Sequence, residues 1–314
     1  MIYQLNKLNS NMKKLVFFLT GAIVSVSCSF TLDWDLGSSS LEHVSLGVKD
    51  ADVSDLPPAT KSEISITDVV KFAWSEDDIV GMFPNKGAQA YFEMTEFQGE
   101  ATAQFDGGGW ALKAASEYAV YYPYDYDHRE KAQIPFNYQG QSQRGVNDFS
   151  HLAKWQYLAQ GMQQPEEGAC NYKMERIEAV VIFKLSFPSQ INCDQLSLRI
   201  ASGQKVVHST HLNISETDFT ISPTEVANQF TLALEDVSIT EINKPVYFYA
   251  MMPPQNFAGE KIIISVHSTD GDNYLAAVDG KDMLYNHAYQ YEATLTSDYA
   301  SFMEMYGLEP GFWE

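Results

Sequence analysis

Residues 178–187 read EAVVIFKLSF, a nearly continuous apolar run from Glu178 to Phe187. A run of this kind is the signature of a strand buried on both faces. Working outward, the following segments alternate or form short apolar runs. QLSLRIAS (195–202) alternates at Leu196, Leu198 and Ile200. QFTLALED (229–236), PVYFYAMMP (245–253), EKIIISVHS (260–268), YLAAVDG (274–280) and AYQYEATLT (288–296) follow. Turn signals recur every 8–12 residues or so, as in a β-sandwich. Upstream lie EHVSLGVKD (42–50), with Val44, Leu46 and Val48 on one face of a short half-buried strand, and EISITDVVKFAW (63–74), with strand pattern at Ile64 and Ile66. DDIVGMF, AQAYFEM, ATAQF, WALKA and YAVYYPY continue to Tyr124, with Gly107-Gly108-Gly109 as a tight hairpin. Residues 125–175 are polar and Gln-rich and are expected to form a long connecting loop, with a short helix over HLAKWQYLAQ (151–160). The expected fold is all-β.

Composition agrees. The chain has 314 residues, 45% of them hydrophobic, with 18 Tyr and 18 Phe. That length favours two domains, placed at 41–172 and 173–314. There are 41 acidic against 20 basic residues, a net charge of −21, and such a surface repels a phosphate backbone. Nucleic acid is therefore not an expected partner.

The first 27 residues have the pattern of a secretory signal: Lys13 and Lys14, then the apolar run LVFFLTGAIVSV, then small residues. Residues 1–11 lie upstream of Met12 and are expected to be an extension. Ser25-Val26-Ser27-Cys28 resembles a bacterial lipoprotein box, which implies acylation of Cys28 and a Ser/Gly-rich tether over 28–40. Three basic residues and no acidic ones fall in 1–27, so the remainder carries a net charge of −24. Cys170 and Cys193 remain, either as a disulfide or as two small apolar residues.

Catalytic fingerprints are absent: there is no nucleophile elbow, P-loop or dinucleotide motif. His208 and His211 lack metal spacing. Asp270-Gly271-Asp272-Asn273 has the look of a hairpin turn, and Glu76-Asp77-Asp78 and Glu166-Glu167 that of solvated loop charge. No catalytic residue, cofactor or metal is expected. The tyrosine run Tyr118, Tyr121, Tyr122, Tyr124 and Tyr126 suits core packing, with Tyr122, Tyr124 and Tyr126 as candidate ligand contacts.

Several segments together resemble the fimbrillin family of Bacteroidales, the FimA/Mfa-like subunits of lipoprotein-derived pili. They are ATKS (59–62), FAWSEDDIVGMF (72–83), YYPYD (121–125), IPFNYQGQSQ (134–143), EAVVIFKLSF, YFYAMMPP (247–254) and LYNHAYQYEATL (284–295). The resemblance spans roughly residues 61–295. It implies two transthyretin-like Greek-key β-sandwich domains behind a lipoprotein signal peptide. It implies export to the outer membrane and cell surface, removal of the first strand by a trypsin-like protease, and filling of the vacated groove by a strand of another fimbrial subunit. The removable strand would be Val44–Val48, and the cut would follow Lys61 or Lys49, with Lys61 preferred because ATKS stands at the family's processing position. The tail from Ser297 to Glu314 lacks strict alternation and contains Pro310, which suits a tip or accessory subunit better than a stalk subunit. A non-polymerising surface lipoprotein that binds glycan through aromatic loops is the alternative, and a glycan-active enzyme a third.

Overall fold

Strand follows strand along most of the described residues. The computed structural model describes residues 41–56, 71–97, 99–107, 112, 114–167, 171–309 and 312. Cys28, Lys61, Ile64, Ile66, Gly108, Gly109, Cys170 and Pro310 lie outside the described residues, as do the signal, tether and lipoprotein-box readings.

The N-terminal strands are β1 (His43–Val48), β2 (Ile79–Pro84), β3 (Ala90–Glu96), β4 (Thr102–Gly107) and β5 (Tyr118–Tyr122). Next come β6 (Ile134–Asn137), β7 (Ser142–Arg144), a 3-10 helix (Ser150–Trp155), β8 (Leu158–Gln163) and β9 (Tyr172–Arg176). Seven of these strands close into a barrel in the order β1-β4-β3-β2-β5-β8-β9. The closing strand is β1, antiparallel to β4 and parallel to β9. An open sandwich would leave two strand edges here; β1 satisfies both. The barrel is filled by Val44, Leu46, Trp74, Val80, Met82, Phe92, Phe105 and their neighbours.

The remaining strands are β10 (Ala179–Ser186), β11 (Ile191–Ile200), β12 (Val206–Asn213), β13 (Thr220–Ala227), β14 (Phe230–Ile239) and β15 (Val246–Met252). Then follow β16 (Gln255–Asn256), β17 (Lys261–Ser268), β18 (Asn273–Asp279), β19 (Asp282–Met283) and β20 (Ala288–Thr294). Sheet β15-β10-β20 packs on sheet β18-β17-β11-β14-β7. One face of β10 (Ala179, Val181, Phe183, Leu185) meets that second sheet. The other face (Val180, Ile182) packs with Phe83, Tyr121, Ile134, Tyr138 and Leu212. The middle sheet is thus covered on both sides, the physical reason for the unbroken apolar run. Sheet β13-β12-β6 lies on the outer side of this second core.

Three expectations need correction. Residues 125–175 are not a long loop, because they supply β6 to β9. HLAKWQYLAQ is helical only in its first half, the 3-10 helix Ser150–Trp155, and its second half enters β8. The hairpin expected at Gly107-Gly108-Gly109 does not pair β4 with a following strand, because both edges of β4 are taken by β1 and β3; among the described residues up to Leu112 there is a Leu41–Leu112 bridge.

The Gln-rich segment is a strand because its amides act as backbone. Gln141 and Gln143 are fully buried. The Gln141 amide donates to Met251 O (2.6 Å) and accepts from Met251 N (2.9 Å). Gln143 accepts from Tyr249 N (2.8 Å) and donates to Tyr247 O (3.1 Å). Asn147 accepts from Tyr247 N (2.8 Å). Three side-chain amides therefore close the free edge of β15, while the backbone of β7 pairs with β14. This one segment laces two sheets together.

After β20 the chain forms helix α1 (Tyr299–Tyr306). The Asp298 carboxylate caps its start and Gly307, at φ 62°, ends it. Phe302 and Met303 pack on Ile263 and Leu275, on the outer face of β17 and β18.

Candidate functional site

The strand singled out in the sequence, Val44–Val48, lies in a groove of its own chain. Val44, Leu46 and Val48 point into the barrel core, with Leu46 fully buried. Ser45 and Gly47 face the other way and are also buried, so the strand is covered throughout and not half-buried. Tight ladders on both sides explain this. Val44 faces Phe105 and Leu46 faces Ala103 on β4, and Leu46, Gly47 and Val48 run alongside Tyr172, Lys173 and Met174 on β9. The Asn171 side chain accepts from Ser45 N (2.8 Å), and Asn171 N donates to Ser45 O (2.9 Å).

Beyond Val48 the chain leaves the barrel and crosses to the middle sheet. Lys49 N donates to Met174 O (2.8 Å), and its ammonium pairs with Glu175. Asp50 O accepts from the Asn286 side chain (3.0 Å). Asp52 N donates to Asn286 O (2.8 Å), Ala288 N donates to Asp52 O (2.9 Å), and His287 Nε2 sits 3.3 Å from the Asp52 carboxylate. Ser54 N holds that carboxylate below its ordinary range. Ala51 and Leu56 reach the core beneath the middle sheet. The peptide bond after Lys49 is therefore held in a hydrogen-bonded segment, and Lys61 lies outside the described residues.

At the end of β9 the interior holds charge that the sequence reading missed. Arg176 and Glu178 are both fully buried. The Glu178 carboxylate accepts from Tyr157 N (3.2 and 3.3 Å), and burial lifts it above the ordinary carboxylate range. None of the three Arg176 guanidinium nitrogens has a hydrogen-bond partner. Three ionisable residues inside the otherwise apolar MERIEAV (174–180) were the available signal.

The tyrosines are dispersed among several roles. Tyr118 and Tyr121 are core residues. Tyr122 packs edge-on to Phe72 and Trp74 and donates to Asp78 (2.7 Å). Tyr124 leans on Tyr91, with ring centroids 5.6 Å apart. Only Tyr126 of this run stands in solvent, 69% exposed, with Arg129 5.0 Å over its ring. Asp78 also accepts from Ser75 N, so the first acidic cluster is engaged in a turn. Asp270–Asn273 is a turn closed by Ser268 and Asp272. Cys193 is a free buried thiol, its pKa pushed up to about 12 by burial. Among the described residues no group of three or more His, Cys, Asp or Glu is placed to hold a metal ion.

No protein-family model and no curated protein matches this chain. Solved structures do. A candidate cell adhesion protein from Bacteroides ovatus ATCC 8483 superposes with a TM-score of 0.54 at 12% identity, over 82% of this chain and 95% of that one. A candidate cell adhesion protein from Bacteroides uniformis ATCC 8492 gives 0.48 at 9% identity, over 81% and 94%. The tip fimbrial protein Mfa3 from Porphyromonas gingivalis, with C-terminal truncation, gives 0.39 at 10% identity, over 82% and 96%. The first of these likenesses establishes a shared all-β fold.

Proposed function

We propose that this chain is a cell-surface fimbrial or adhesin subunit that accepts a strand from a partner subunit. In this reading it is exported as a lipoprotein, acylated at Cys28, and held at the outer membrane. Its two domains divide near residues 172 and 173. A trypsin-like protease cuts after Lys61, and β1 leaves with the lipid. The groove between β4 and β9 then takes a strand of another subunit. The assembly serves adhesion or biofilm formation.

The observation that carries this reading is the position of β1. It is the first strand among the described residues, and yet it is bonded along both edges inside the barrel. Its loss would bare two rows of backbone groups and the cavity left by Val44, Leu46 and Val48. Burial of three such side chains is worth about 1.5–3 kcal/mol each, enough to hold a plug and little enough to exchange. Lys61 is favoured over Lys49 because a protease needs an unpaired extended segment, and the backbone around Lys49 is bonded to Met174 and Asn286. The tail supports a tip or accessory role, since α1 is packed on its own sheet. The shared fold with a candidate adhesion protein adds support.

The test is limited trypsin digestion of residues 29–314, followed by intact mass and an unboiled SDS gel. The expected result is one early cut after Lys61, with the nicked chain free to pair with another subunit. Resistance at Lys61 while the rest is degraded would overturn the reading. A ladder of SDS-resistant multimers from this chain alone would instead assign it to the stalk. The second reading, glycan binding without polymerisation, is favoured by the exposed Tyr126 beside Arg129, and a glycan array on uncut protein tests it.

A further inference from the structure

The end of the β1 groove is lined by an ordered pair of opposite charges. The parallel register sets Val48 beside Met174. Lys49 continues that ladder, its N donating to Met174 O, and its ammonium pairs with Glu175. Asp50 does not: it is exposed, and its carbonyl accepts from the Asn286 side chain. The Arg176 guanidinium is fully buried, and its nitrogens make no hydrogen bond to Asp50 or to another described residue. Glu178 and Asp50 are the carboxylates whose fields favour the charged Arg176 against the cost of its burial. Glu178 already accepts from the Tyr157 backbone, and Asp50 belongs to the segment that would leave with β1. Loss of that segment removes one of two compensating anions from a buried cation, which is costly.

We propose that Glu175 selects the strand that occupies the β1 groove: the occupant must carry a basic residue directly after its last core-facing side chain, as Lys49 follows Val48. The partner is therefore a β-strand ending in a basic residue, entering parallel to β9. The inference rests on the strand-replacement reading above and names the chemistry of its partner. Apolar side chains at alternate positions hold any such strand in the barrel. The ion pair fixes its register, because a one-residue slip takes the basic residue away from Glu175.

The experiment uses the 29–314 chain nicked after Lys61, with protease then inhibited and the cut segment exchanged through mild urea for labelled peptides. The probe is the peptide of residues 41–52, LEHVSLGVKDAD. Its competitor carries Lys49→Asp and Asp50→Lys together, with the same composition. Fluorescence anisotropy is expected to show at least tenfold weaker binding of the swapped peptide. In the Glu175→Lys protein, a peptide with Lys49→Glu is expected to bind better than the natural peptide, which a purely apolar groove would not produce. Equal binding of natural and swapped peptides, within threefold, overturns the charge code and leaves strand replacement standing. Failure of the natural peptide to bind overturns strand replacement and the charge code with it.

Discussion

His151 illustrates how one buried ring contributes to the pH response of this fold. Its Nε2 lies 3.0 Å from Tyr249 O and acts as donor there, which leaves Nδ1 buried and without a partner. Burial lowers its pKa below the ordinary value; the bond to Tyr249 and the charge of Asp148 oppose this. A histidine with a depressed folded pKa supports the fold fully above its unfolded value, near 6.5, and withdraws that support as pH falls through the folded one. Glu178, raised to about 8 by burial, contributes with the opposite sign over the same range, so the His151 contribution is read as a difference between variants in thermal melts from pH 8 to 5. His151→Gln keeps a donor for Tyr249 O without titrating, so the variant should gain on the wild type as the solution is acidified. A second residue, Gln141, carries a structural load invisible in its polarity. Gln141→Leu keeps the volume and bares both Met251 N and Met251 O in a dry interior. At about 1–3 kcal/mol for each of the two orphaned groups, urea unfolding is expected to show a loss of roughly 2–6 kcal/mol.

Elements differ in how their stability is used. Strand β1 is bonded along both edges like an interior strand. Leu46 is fully buried, so Leu46→Ala is expected to destabilise the intact chain by about 2–5 kcal/mol in urea unfolding. The same change should speed exchange of β1 for added peptide in the nicked chain, and leave the peptide-filled product as stable as that from the wild type. A purely structural strand would show the first effect without the other two. Much of this element was legible in the sequence: Val44, Leu46 and Val48 alternate, and all three face the core. Its full burial was not, because Ser45 and Gly47 are covered by β4 and β9, which lie far away in sequence. The run over 178–187 was legible for a different reason, since a strand with sheets on both sides has no polar face to hide. Residues 139–147 were illegible because buried glutamines that substitute for backbone have the composition of a loop. Strand β13 was missed because TISPTEVA is exposed along most of its length and contains Pro223. Helix α1 left better clues, with Asp298 and Gly307 bracketing eight residues in the positions of its caps. Arg176 and Glu178 could be seen as charges in an apolar stretch, but their burial depends on packing that no local pattern encodes.

At the scale of the whole molecule, net charge decides how a second chain approaches the groove. The chain carries 41 acidic and 20 basic residues, so two copies repel each other at every separation within a screening length. That length is about 30 Å at 0.01 M salt and about 8 Å at 0.15 M. The groove itself offers a balanced site, Glu175 beside Arg176, so docking is not opposed locally once a strand has arrived. The global field and the local site therefore separate in the kinetics. Association of a nicked subunit with a second copy of this chain is expected to accelerate severalfold between 0.01 and 0.15 M salt, because screening removes the repulsion between like-charged bodies. Binding of the 41–52 peptide, with three acidic residues and one basic for a net charge of −2, should change far less over the same range. Stopped-flow fluorescence on both reactions reads the difference. A rate that falls as salt rises, for a full-length partner, would identify that partner as a basic protein whose charge steers it to this acidic surface, and would exclude a copy of this chain as the natural donor.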